Sequence, residues 1–295
     1  MYYQSGDSPR VLAPTLNMPF HKARFARSRP PVRILAAAGM LLALAAVAQP
    51  QASQPTPSVK KPGVKPLNVQ EEIANVRAGI VTPYGLYFLG ESEAREAIPA
   101  LEEQFPLADH EMDKAQIAQV LVLLKAPNDT YWNYLVKLIT PILDGNAPDP
   151  IAFDAQGKEL PDVSPAFEAW VDANRLDPPS AWQNATIVYP GYIMLLGETE
   201  DPRAVSPLRR ALASPNYLIA AQASEGLALL KDEGAIPLIV DAARRAPASA
   251  ARLIAEPLGY FANPDAQAAL DLFVPAEQAQ RLRERVRQGG RPLHR

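Results

Sequence analysis

Three histidines, no cysteine and a surplus of carboxylates are the raw material for chemistry in this chain. The lack of cysteine excludes disulfides, thiolate metal sites and a cysteine nucleophile, and also a lipoprotein anchor, which needs a cysteine at the cleavage point. His21, His110 and His294 are spread over the two ends and the body, so no pair of them can converge on a metal from the folded part. His110 and Glu111 make one isolated His-Glu dipeptide. No glycine-rich phosphate loop, nucleophile elbow or Ser/His/Asp set is visible. Glu91, Glu93, Glu198, Glu200, Asp201 and Asp232 fall where turns between helices are expected. Carboxylates there favour helix N-termini, so capping is expected of them rather than acid-base catalysis. The expectation is no cofactor, no metal and no catalysis by the chain itself.

The elements that position these residues recur along the chain. YGLYFLGESEAREAIPAL (Tyr84 to Leu101), YIMLLGETEDPRAVSPLRRAL (Tyr192 to Leu212), ASEGLALLKDEGAIPLI (Ala223 to Ile239) and ARLIAEPLGYFANPDAQAAL (Ala251 to Leu270) share one small-residue, leucine-rich pattern. A weaker copy runs from Ala115 to Ile139. Aligning Gly90, Lys125, Gly197, Lys231 and Phe261 gives steps of roughly 35, 72, 34 and 30 residues, the long one being two periods. In the clearest copy Ala220, Ala223, Leu227 and Leu230 recur at intervals of three and four, an apolar stripe on a helix. A polar turn from Lys231 to Gly234 leads into a second helix with Ile236, Ile239, Val240 and Ala243 inward. The pairs Asp201-Pro202 and Asn263-Pro264 each offer a capping side chain followed by proline at the first helical position. No run alternates long enough to demand a strand, so the expected fold is all-α.

The "LG, acidic turn, A-I-P-L" pattern at Leu89 to Leu101, Leu196 to Leu208 and Leu230 to Leu238 resembles HEAT repeats of the short bacterial kind, also called phycobilisome-lyase-type. The resemblance covers about residues 70 to 275. It implies an α-solenoid of stacked helical hairpins whose second helices line a concave, partner-binding face. Deoxyhypusine hydroxylase, a HEAT-like enzyme, holds iron through several His-Glu pairs, and the single pair at His110 cannot make that site. Bilin attachment is not expected either, because no lyase-specific residue is recognisable and this chain carries an export signature.

That signature lies before the repeats. Lys22, Arg24, Arg27, Arg29 and Arg33 precede the apolar run Ile34 to Ala48, which ends Ala46-Val47-Ala48, as a signal peptidase requires. The run is shorter than the roughly 20 residues that span a bilayer. Residues 1–48 are therefore expected to be an N-terminal extension and signal peptide cleaved after Ala48, with Met18 as an alternative start. The mature chain would be periplasmic or extracellular. Residues 49–70, rich in Pro, Ser, Thr and Lys, are expected to form a solvated linker. Residues 71–280 would be the repeat domain, interrupted at about 144–180 by an irregular insert with a short helix at Phe167 to Arg175, and 281–295 a basic tail. The insert falls where a repeat is missing, and is either a decayed repeat or a functional insertion.

With 48% hydrophobic and 21% charged residues the chain can bury a sizeable core. Net charge is roughly −14 over residues 70–200 and roughly +3 over 201–295. An acidic body argues against nucleic acid as partner. A protein partner is expected, with membrane contact only through the signal segment if it stays uncleaved. Setting Leu124 against Leu230 superposes Gln116 on Gln222 and Gln119 on Glu225. Tyr84 is expected beside the second pair, with Tyr192, Arg252 and Glu256 on or next to the same stripe. These eight residues are the candidate binding groove. Tyr131, Trp132 and Tyr134 form an aromatic cluster expected in the core. The function so expected is a binding or scaffolding module of the cell envelope. The alternatives are an enzyme with active residues in the insert and a membrane-tethered assembly factor.

Overall fold

The computed structural model describes residues 67–290. The expected signal segment, His21, His294 and most of the expected linker lie outside them. The described residues are mostly helical, as the periodicity predicts. The helices are α1 (Val69–Arg77), α2 (Pro83–Glu91), α3 (Ile98–Gln104), α4 (Glu111–Leu123) and α5 (Thr130–Gly145). After a hairpin of β1 (Ile151–Phe153) and β2 (Glu159–Val163) come α6 (Pro165–Ala173), α7 (Pro178–Gln183), α8 (Tyr189–Glu198) and α9 (Val205–Ala211). The chain ends in α10 (Tyr217–Leu229), α11 (Ile236–Arg245), α12 (Ala248–Ala255), α13 (Pro264–Phe273) and α14 (Ala276–Arg287). None of the described helices is long and apolar enough to cross a membrane.

Helix starts follow local chemistry. Thr82, Ser164, Asp177, Asp201 and Asn263 each accept a backbone N–H of the turn that follows, and each precedes a proline. The side chain satisfies a donor that the helix leaves open, and the proline removes another while fixing φ. Asn68 also caps α1 with its side chain, so the helix begins at Val69, one residue before the expected linker end at Gln70.

Helix ends share one device. Glu93, Lys125, Glu200 and Lys231 all take the left-handed conformation, with φ of 48°, 60°, 50° and 53°. After three of them the next N–H reaches back to the fifth residue before it: Ala94 to the Leu89 carbonyl, Ala126 to Leu121 and Asp232 to Leu227. This pairing satisfies the last carbonyls of the helix. It also corrects the sequence register, because Glu93, not Gly90, is the equivalent of Lys125, and Glu200, not Gly197, is the equivalent of Lys231. In the corrected register Leu89, Leu121, Leu196 and Leu227 coincide, and all four are fully buried.

Packing follows the repeat. α2 packs on α4, α4 on α8, α8 on α10 and α10 on α12, a leading layer. α5 packs on both α4 and α8, and α9 on both α8 and α10, so trailing helices wedge between leading ones. One apolar core runs through all of these helices. The direct contact of α4 with α8 shows that the insert takes no place in the leading layer, contrary to the expectation that it fills a missing repeat's position.

The insert holds the strands that the sequence reading did not expect. β1 and β2 are antiparallel, pairing Ile151 with Val163 and Phe153 with Glu159. The tip turns at Gly157, whose φ is +75°. Its position demands glycine twice over, since a Cβ there would lie 2.6 Å from the Ala248 nitrogen. α6 and α7 form a separate small core of Phe167, Val171, Ala181 and Ala185. Residues 281–287 of the expected basic tail belong to α14, in which Arg283 bonds Gln267 and Asp271 and Arg281 pairs with Glu277, and 291–295 lie outside the described residues.

Candidate partner-binding face

The leading helices bring the polar candidates to one side. Counting back from the left-handed residue that ends each helix, Gln116 and Gln222 share a position, and so do Gln119 and Glu225, as the superposition predicts. Tyr84 joins the first pair, not the second as expected; Tyr87 stands with Gln119 and Glu225. Tyr84 and Tyr87 are exposed on α2. Gln116, Gln222 and Glu225 are half-buried.

Gln119 is not an open groove residue. It is buried, and its Nε2 donates to the Glu198 carbonyl at 3.0 Å, tying α4 to the end of α8. Tyr192 also differs from the expectation. It falls on the apolar stripe beside Ile117 and Ala223 in register, is buried, and donates its hydroxyl to Glu111 Oε2 at 3.0 Å. Burial, that hydrogen bond and the Glu111 charge all raise its pKa. Arg252 and Glu256 stand apart, at the end of α12. Arg252 Nε lies 3.7 Å from Glu256 Oε1, and Gln278 of α14 also donates to that carboxylate.

Sequence reasoning treated Glu91 and Glu198 as capping carboxylates, and the structure corrects this. Both are the last residues of their helices, α2 and α8, the end at which the helix dipole disfavours negative charge. Burial, then the charges of Glu225 and Glu91, push the Glu198 carboxyl up to about 7. The three carboxylates come from α2, α8 and α10. Glu198 stands in the repeat at the same position as Glu91, as the alignment of Gly90 with Gly197 already placed it. Asp201 does cap as expected, accepting from Arg203 N at 2.9 Å. Asp232 instead binds the Arg209 guanidinium through both oxygens, at 2.6 and 2.7 Å.

His110 precedes α4 and lines a cleft of about 210 Å³ with Asp109 and Asp113. Among the described residues no three His, Asp or Glu side chains come together in a metal-binding group. The aromatic trio packs inward: Tyr131 and Trp132 are buried, Tyr131 donates to Glu102 at 3.1 Å, and Phe105 sits edge-on to Tyr131 and Tyr134.

The insert carries one buried carboxylate, Asp149, which sequence reasoning did not single out. Its Oδ1 accepts from Ile151 N and its Oδ2 from Tyr217 N, each at 2.8 Å. Burial nonetheless raises its pKa to about 6. Asp149 thus fastens the start of the hairpin to the start of α10, Phe153 meets the Tyr217 ring, and Ser249 of α12 donates to the Gly157 carbonyl at the tip. The hairpin lies along the starts of two successive leading helices. No family model matches the chain, and no curated protein matches it.

Proposed function

We propose that the described residues form an α-solenoid of HEAT-like helical hairpins that serves as a protein-binding scaffold, exported and without catalysis of its own. One observation supports the repeat reading above the others. The same left-handed residue ends four leading helices, Glu93 and Lys125 about 32 residues apart and Glu200 and Lys231 about 31, and each of these helices packs on the next. Stacked repeats of this kind offer long surfaces in which equivalent positions line up. The acidic body disfavours nucleic acid as partner. The export reading rests on Lys22 to Arg33, the apolar run that follows and Ala46-Val47-Ala48.

Crosslinking in the native envelope extract, followed by mass spectrometry, tests both parts. The expected outcome is a mature N-terminus at Gln49 and crosslinks to one or a few envelope proteins. A full-length chain in the cytosol would overturn the export reading, and an absence of reproducible protein crosslinks would overturn the scaffold.

A further inference from the structure

The cleft beside His110 is an apolar groove at the open edge of the first hairpin. Val81, Leu107 and the buried Ile117 line it. Leu107 is 66% exposed, and Ile80, in the turn that supplies Val81, is 57% exposed. Asp109 and Asp113 stand in the same lining, which contains no Lys or Arg to balance them. At about 210 Å³ the space is smaller than the roughly 300 Å³ at which small-molecule pockets begin, so it suits one or two side chains. The far end of the stack shows how such an edge is closed. There α14, mostly polar, packs Ala279 and Leu282 onto the last hairpin. Stacked repeats need a polar cover at each end. At the near end α1 packs on α2 and α3 but leaves Ile80 and Leu107 bare.

We propose that residues 59–66 of this same chain dock in the groove as a strap, with Lys60 and Lys61 against Asp109 and Asp113 and with Pro62 over Ile80 and Leu107. Their sequence, Val-Lys-Lys-Pro-Gly-Val-Lys-Pro, holds three lysines and no carboxylate. Charge complementarity selects this segment, whereas a second copy of the acidic repeat domain is repelled. Reach selects it too. The described chain starts at Leu67, and α1 carries it from there toward Gly79, which lines the groove. The nine residues of α1 advance about 13 Å. Eight extended residues return up to about 26 Å, enough to bring Lys60 and Lys61 to the two aspartates. So short a tether holds the segment at an effective concentration of about millimolar, and modest contacts then fill the groove. Lysine stems lie well on apolar surface while their ammonium groups meet carboxylates, and proline lowers the entropy that ordering removes.

The chain has no cysteine, so Val59→Cys carries a single nitroxide label in the full chain. Its electron paramagnetic resonance line shape is expected to show a dominant immobilised component. In that labelled background the component is expected to be lost in Asp109→Asn with Asp113→Asn, in Leu107→Ser and in Lys60→Gln with Lys61→Gln. High salt, which screens exposed charges, is expected to remove it as well. Circular dichroism is expected to stay unchanged throughout. Leu272→Ser, at a leucine of α13 that is 68% exposed, is expected to leave the line shape as it was. A label as mobile in the parent as in the groove variants would overturn the strap. So would immobilisation that vanishes on dilution, which gives the groove to a second copy, or immobilisation that needs added envelope extract, which gives it to a partner protein. The scaffold reading is decided separately, by native crosslinks.

Discussion

Gly197 of α8 and Gly226 of α10 meet backbone to backbone. A Cβ built on Gly197 would lie 2.5 Å from the Gly226 Cα, and one built on Gly226 would lie 2.9 Å from the Gly197 Cα and 3.0 Å from a methyl of Leu208. Two helices cross here with nothing between them, so either side chain must push the helices apart.

Gly226→Ala tests the closeness of that crossing. Alanine favours a helix by about 1 kcal/mol over glycine. Overpacking opposes it by about 1 to 3 kcal/mol. Net destabilisation in urea is expected, because the contact on one side is backbone and cannot rotate away. Stabilisation by the full helix-propensity gain would mean that the helices lie farther apart.

Asp149→Ala removes the shared acceptor of Ile151 N and Tyr217 N. Leaving buried donors unmet costs about 1 to 3 kcal/mol each. The change should lower the denaturation midpoint and raise proteolysis between residues 149 and 163, with the helical signal of the stack retained. A midpoint equal to that of the parent would show that water replaces the carboxylate freely.

The pH dependence follows from the two raised carboxyls. A carboxyl whose folded pKa lies above its unfolded value stabilises the fold below the unfolded value, and that contribution is lost as pH rises through the folded one. For Glu198 the window runs from 4.5 to about 7, and for Asp149 from 3.8 to about 6. Asp201, held low mainly by Arg203, acts only at more acid pH. Stability should therefore fall between about pH 4 and about pH 7, the range these two groups span. Glu198→Gln should flatten the upper half of that fall. A parent profile that rises over this range would contradict the placement of Glu198.

Leu227→Asp should abolish cooperative folding of the repeat. Leu227 is fully buried, and Leu89, Leu121 and Leu196 occupy the same position in the other repeats. An isolated carboxylate there is desolvated without a partner, which costs more than a typical domain can lose. A native-like melting curve would refute the core assignment.

The helical class was legible because three-and-four spacing is written directly into residues 220 to 230 and their counterparts. The register was legible only to within one turn. Gly90 and Gly197 look like helix stops in sequence, yet both lie inside helices, and Gly197 serves close packing, whereas Glu93 and Glu200 take the left-handed turn despite their side chains. Nothing in their residue type announces that. Gln119 and Tyr192 were placed on the right helices, but their burial depends on α8 arriving beside α4 across the insert, a non-local event. The strands escaped notice because each is short and their pairing is interrupted by an irregularity between Ile151 and Phe153. Asp149 reads in sequence as one more loop acid; only the nearby start of α10 gives it a task.

Because α4 rests directly on α8, residues 146–188 form a side excursion whose length is uncoupled from the spacing of the stack. Insertions or trimming within α6 and α7 would alter that excursion without shifting any leading helix along the array. The hairpin is different. Pinned at Asp149 and again at Gly157, it spans the starts of α10 and α12 like a splint, so bending between those two repeats must strain it, while the α2 to α4 junction has no such brace among the described residues. Any hinge opening between α10 and α12 must therefore break the Asp149 to Tyr217 bond or the Ser249 to Gly157 bond before the helices themselves part.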